Sequence, residues 1–266
     1  MTKQENKFKI INAGESSTET FIKCLIYGDS GVGKSYLGVT SPDCLVLLTE
    51  MNGQASIMHS NPSADIIHIS NDLLLAEVLK DIEESPDNWT QYETIVIDSL
   101  SEMQRLIKDR ITKNGREKMK LQDWGTLADN MRALIRRIRS LKKNVVCLAL
   151  QEAQIDEESG ARFIRPSFEG KKTSAEIAQF FNFVGCFYPV TEQIENDGEI
   201  QSTIVRHLMV EGPSRIMCKP VFPLTGTIRN PNLTEIFNQV QGPKPKKKTR
   251  KKKKSKAKSI SVQEVN

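Results

Sequence analysis

A doubly wound, mostly parallel α/β sheet with antiparallel strands added at its C-terminal end is the fold predicted by this 266-residue sequence. Three observations carry that expectation. Short, nearly continuous apolar runs alternate with segments of helical period, as parallel strands covered on both faces require. A glycine-rich loop joins the first apolar run to the first helical segment. After Gln151 the texture changes to a turn-punctuated stretch with further short strands.

The elements follow in order. Residues 1–20 are polar and rich in Ser, Thr and Glu, which predicts a loose arm before a domain spanning 21–240. Apolar runs at 21–27, 44–49, 65–70, 93–98 and 144–150 predict five strands. The loop after the first run opens a helix over 34–39. Asn71-Asp72 offers an N-cap for a helix through residue 82, ended before Pro86. Leu121, Trp124, Leu127, Ala128, Met131, Leu134, Ile135, Ile138 and Leu141 share one helical face, opposite Arg132, Arg136, Arg139 and Lys143. Such alternation implies right-handed crossovers. Beyond it, 154–165 carries a Ser159-Gly160 turn between charged flanks, as in a hairpin or mobile loop. A helix is expected over 173–181, and strands over 184–191, 203–210 and 215–218 as antiparallel additions to the sheet edge.

Charge is informative once split. Residues 241–266 hold 11 Lys and Arg against one Glu, a net of +10, whereas the other 240 residues hold 27 against 32, a net of −5. The Lys-rich tail cannot form a core, so it is expected to be disordered. It suits a polyanion through counterion release, and lacks an aromatic side chain to stack bases, so its binding should be salt-sensitive and blind to sequence. A nuclear-localisation signal is the rival reading of such a run. No stretch of 18 apolar residues and no signal-peptide core is present, which points to the cytoplasm. Cys24, Cys44, Cys147, Cys186 and Cys218 form no Cys-x-x-Cys pair and read as free thiols, and His59, His68 and His207 show no zinc-ligand spacing.

The chemistry concentrates at strand ends. Gly28-Asp29-Ser30-Gly31-Val32-Gly33-Lys34-Ser35 matches G-x-x-x-x-G-K-[ST] between a strand and a helix. In such a loop successive backbone N–H groups curl around a phosphate at the positive end of the helix. Lys34 then reaches the β- and γ-phosphates of ATP, and Ser35 offers its hydroxyl to Mg²⁺. Asp98 ends the fourth strand where ligands bind in a parallel sheet, and suits the same magnesium. Glu50 ends the second strand and is a candidate to orient or deprotonate the attacking water. Gln151 ends the fifth and is a candidate γ-phosphate sensor.

These pieces, in this order, resemble the RecA-like core of P-loop ATPases. The resemblance implies that Glu50 is the catalytic carboxylate and that Gln151 couples the γ-phosphate to DNA-binding loops. A closer likeness is to phage-encoded RecA-like ATPases of single-strand annealing and recombination. It rests on Lys120-Leu121-Gln122-Asp123-Trp124-Gly125, on Pro166-Ser167-Phe168-Glu169-Gly170-Lys171, and on a later lysine matched by Lys219. Two departures stand out: Leu48 replaces an Asp common two residues before the Glu, and Gln151-Glu152 replaces an Asn-Gln pair. The resemblance implies single-stranded DNA as a partner, a single-strand DNA-binding protein as a further one, and a homo-oligomeric ring or filament. Arg162, Arg165, Lys171 and Lys172 are its candidate phosphate contacts, the two lysines alternatively reaching a neighbouring subunit's nucleotide. Two other uses of such a core remain open: a small-molecule kinase with Arg162 and Arg165 as lid arginines, and a helicase loader or regulatory NTPase.

Overall fold

In a computed structural model, residues 21–50, 53–155, 160–170, 173–196 and 199–242 are described. The arm, most of the tail, Ser159, Lys171 and Lys172 lie outside them.

Five parallel strands form the centre: β1 (Lys23–Gly28), β2 (Cys44–Leu48), β3 (Asp65–His68), β4 (Thr94–Asp98) and the first part of β5 (Asn144–Ile155). Residues alternate between two cores, as the period of a strand dictates. Leu25, Tyr27, Leu45, Leu47, Ile95, Ile97, Val145 and Cys147 face one side. There they pack on α3 (Asp72–Glu84), α4 (Leu100–Ile111), α5 (Leu121–Ser140) and α6 (Thr173–Ala178). Cys24, Ile26, Val46, Leu48, Val96, Val146 and Leu148 face the other side, under α1 (Lys34–Gly38), α2 (Gly53–Ser60) and α7 (Leu233–Gln241). With helices on both faces, the sheet is doubly wound, as predicted.

The strands added at the sheet edge are longer than their sequence pattern suggested, and the first of them joins the sheet parallel, not antiparallel as expected. β7 (Phe183–Asn196) runs parallel to β1 and then turns back into β8 (Glu199–Met209), which pairs antiparallel with β7. β9 (Thr227–Arg229), an unanticipated three-residue strand, closes that edge. The order is therefore β3-β2-β4-β5-β1-β7-β8-β9, with β6 (Arg162–Pro166) paired to the outer half of β5. The expected strand over 215–218 is not one. Ile216 makes a single bridge to Ile164 and Lys219 one to Val184, so the segment crosses between two strands instead of following either.

Helix expectations hold with two adjustments, the first being that the helix expected over 173–181 ends at Ala178. Asn71 caps α3, its Oδ1 accepting from Leu74 N at 2.9 Å. On α5 the buried stripe begins only at Leu127; Leu121 is 91% exposed and Trp124 39%, because the first turn overhangs the core. The five cysteines are free, four of them buried. No described helix is long and apolar enough to cross a membrane.

Candidate active site

The sheet register brings the predicted residues to one edge. Gly28, the last residue of β1, lies opposite Leu150, so Gln151 stands one residue beyond it on the neighbouring strand. Leu48 lies opposite Asp98, and Glu50 follows Leu48 by two residues. The glycine loop, Glu50, Asp98 and Gln151 therefore share the carboxyl end of the parallel strands, where such sheets bind ligands.

The loop is held by close approach. Gly28 admits the backbone of β7, since a Cβ there would sit 2.2 Å from Phe187 O. Gly33, at φ 97°, takes the left-handed turn that caps α1. Lys34 is 9% exposed, and its Nζ donates to Gly28 O at 3.0 Å and Asp29 O at 2.7 Å. Burial lowers its pKa, and the charges of Asp98, Glu50 and Asp29 oppose that shift.

Asp98 is 7% exposed, and its Oδ2 is buried with no hydrogen-bond partner. Burial raises its pKa, as does the Glu50 charge; hydrogen bonding from Ser35 and the charge of Lys34 pull it back. Gly53 leaves room beside both: a Cβ there would lie 3.4 Å from Asp98 Oδ2 and 3.8 Å from Ser35 Oγ. An orphaned carboxylate oxygen beside a hydroxyl fits a hard divalent cation that keeps several waters.

Glu50 is exposed, and its Oε1 accepts from Ser99 Oγ at 2.9 Å. Ser99 also caps α4, accepting from Glu102 N at 3.2 Å, which leaves the Asp98 carboxylate out of capping. Thr49 joins the two strand ends: its Oγ1 accepts from Ser99 N at 2.8 Å and donates to Asp98 O at 3.0 Å. The Asp98–Ser99 peptide is cis.

Past Gln151 the predicted hairpin is present, in register from Gln151 opposite Pro166 to Ile155 opposite Arg162. Arg162 is exposed at its outer end, whereas Arg165 donates from Nε to Glu152 Oε1 at 2.6 Å. The hairpin base is tied to α4. Ser101 Oγ donates to Ser167 O and accepts from Leu150 N, both at 3.0 Å. Gln104 grips Glu169 through Nε2 to its O at 3.0 Å and Oε1 from its N at 2.7 Å. Lys219 lies elsewhere, bridged to Val184 at the level of Leu25, with Nζ on Gln179 O and Phe181 O.

A family model described as an AAA domain matches residues 20–219. The chain belongs to the AAA domain family. No curated protein matches it. The fold of this AAA domain is that of a RecA-like P-loop NTPase, and its class is a nucleotide-binding ATPase. Sequence reasoning missed three of its groups at this edge: Thr49, Gly53 and Arg206. The last comes from β8, and its Nε donates to Val32 O at 3.0 Å.

Proposed function

We propose that this AAA domain is a magnesium-dependent ATPase that works on single-stranded DNA in recombination, annealing or replication and repair. The observation that carries the reading is continuity: β5 passes from between β1 and β4 straight through Gln151 into an exposed arginine-bearing hairpin.

The loop amides from Gly28 to Ser35 would take the phosphates of ATP. Lys34 would leave the Gly28 and Asp29 carbonyls for the β- and γ-phosphates. Ser35 and Asp98 would hold Mg²⁺, which when bound neutralises charge developing on the transferred phosphoryl group. Glu50, steadied by Ser99, orients a water and takes its proton as the water oxygen attacks the γ-phosphorus. The bond from that phosphorus to the β–γ bridging oxygen breaks, and ADP and phosphate leave. Gln151 reads the γ-phosphate, and its strand carries the change to the hairpin. Arg162, Arg165, Lys171, Lys172 and the Lys-rich tail would contact the phosphodiester backbone, Arg165 after release from Glu152. A homo-oligomer completes the proposal, as in other RecA-like assemblies.

The test is ATP turnover by the full-length chain with and without single-stranded DNA, at low and high salt. DNA should raise turnover, and more at low salt. Lys34→Ala should abolish turnover, and Glu50→Gln should bind ATP without hydrolysing it. If DNA neither stimulates turnover nor is shifted on a gel, the DNA reading fails and a partner-switching ATPase takes its place. Transfer of the γ-phosphate to a small-molecule acceptor would make the chain a kinase.

A further inference from the structure

Arg206 lies on the opposite side of the glycine loop from the candidate metal site. In the strand order, β4 with Asp98 stands two strands to one side of β1, and β8 with Arg206 two strands to the other. The guanidinium leans directly on the loop. Its Nε donates to Val32 O at 3.0 Å, and a Cβ on Gly33 would come within 3.0 Å of that same nitrogen. The backbone beneath it is fixed, with Arg206 O accepting from Asn230 N at 2.7 Å and Arg206 N donating to Asn230 Oδ1 at 3.4 Å.

Its charge is uncommitted. Among the described residues no carboxylate pairs with Arg206, whereas Arg229 on the adjacent strand is paired with Glu192 at 2.7 Å. A side chain serving only to brace the loop needs one N–H, and the guanidinium has others to offer.

The direction of a bound triphosphate decides what those groups meet. A magnesium ion held by Ser35 and Asp98 would draw the terminal phosphates towards β4. The nucleoside end would then run out on the other side of β1, over β7 and β8. We propose that Arg206 is a nucleotide-binding residue that lays its planar guanidinium on the nucleobase, with Val32 O fixing its plane. Guanidinium groups stack on aromatic faces in a way that a lysine ammonium does not reproduce. The proposal rests on the nucleotide reading of the loop and adds to it the residue that senses the base.

The experiment compares two ligands that share a polyphosphate and differ in the nucleoside. Mg-ATP and Mg-tripolyphosphate are titrated calorimetrically into wild type, Arg206→Ala and Arg206→Lys, each as the full chain. In Arg206→Ala the ATP dissociation constant should rise about tenfold, between the scales of an exposed and a desolvated cation–ring contact. Tripolyphosphate affinity and the ligand-free melting temperature should stay unchanged, and Arg206→Lys should recover little. Equal weakening of both ligands would mean a brace for the loop and overturn the proposal. Full recovery by lysine would mean a phosphate contact and overturn it as well, as would unaltered ATP binding in Arg206→Ala. If the wild type binds neither ligand, the nucleotide reading itself falls; normal wild-type binding with equal losses in the variant removes the role of Arg206 alone.

Discussion

Asp98 is buried with one oxygen facing no donor, and burial, then the Glu50 charge, raises its pKa above the ordinary carboxylate value. A raised folded-state pKa stabilises the fold below the ordinary value, and that contribution is lost as pH rises through the folded one. At neutral pH, without a cation, the carboxyl is therefore a cost relative to acid pH. Asp98→Asn should raise the ligand-free melting temperature at pH 7, read against wild type in the same buffer. The same change should remove magnesium-dependent turnover; a lower melting temperature would show that the carboxylate is not strained. Lys23 gives a second pH window. It is 5% exposed, its Nζ donates to Leu141 O and Lys143 O, and burial lowers its pKa from 10.5 to about 8. Between those values the unfolded chain binds the extra proton, so this group's contribution to stability rises with pH. Urea midpoints of wild type relative to Lys23→Met should accordingly rise from pH 8 to 10.5. The glycine loop and Asp98 were legible because their pattern is local: eight adjacent residues, and one acid at the end of an apolar run. Arg206 was not, since it reaches Val32 across 174 positions and only the docking of β8 brings them together.

The segment following β6 is gripped by α4 through one buried amide. Gln104 is 3% exposed and satisfies both the N–H and the C=O of Glu169. Gln104→Ala leaves two backbone groups without their partner and should cost about 2–3 kcal/mol, read as a lower urea midpoint. Gln104→Glu keeps the acceptor and loses the donor, so it should fall between alanine and wild type. The inner parallel strands β1, β2 and β4 could be read from sequence because full burial makes them mostly apolar, β3 at the edge from its Ile66-Ile67 pair, and α3 because Asn71 and Pro86 bracket it. α7 was within reach, with Asn232 as its cap and Leu233, Ile236 and Phe237 buried, yet it follows a proline-rich stretch without periodicity. β9 was out of reach: three residues that carry no periodicity form a strand only because β8 offers an edge. For the segment over 215–218, apolar composition predicted a strand, and the crossing between β6 and β7 overrode it.

Across the whole chain, charge divides into a domain of net −5 and a terminal segment of net +10. Removing residues 243–266 should weaken binding to single-stranded DNA and leave DNA-free turnover unchanged. Each DNA phosphate that the tail neutralises adds about 0.7 to the steepness of log affinity on log salt, so a tail covering about five phosphates should flatten that slope by about 3.5 when it is removed. An unaltered slope would mean that the lysines stay in solvent, and the domain itself would have to supply the binding.

β5 is also a mechanical part. Twelve residues make it about 40 Å long at the usual strand rise. Its inner portion is gripped on both sides, by β1 and β4, while Gln151–Ile155 projects beyond them and pairs with β6, which is itself held at Ile164 by the backbone of Arg215 and Met217. Inside the grip, any tilt must shear two ladders at once; outside it, a tilt of about 10° at Leu150 would move Ile155 about 3 Å over a length of about 17 Å and would draw the Ile164–Ile216 bridge with it. Gln151 sits at the fulcrum, where the smallest displacement has the longest arm.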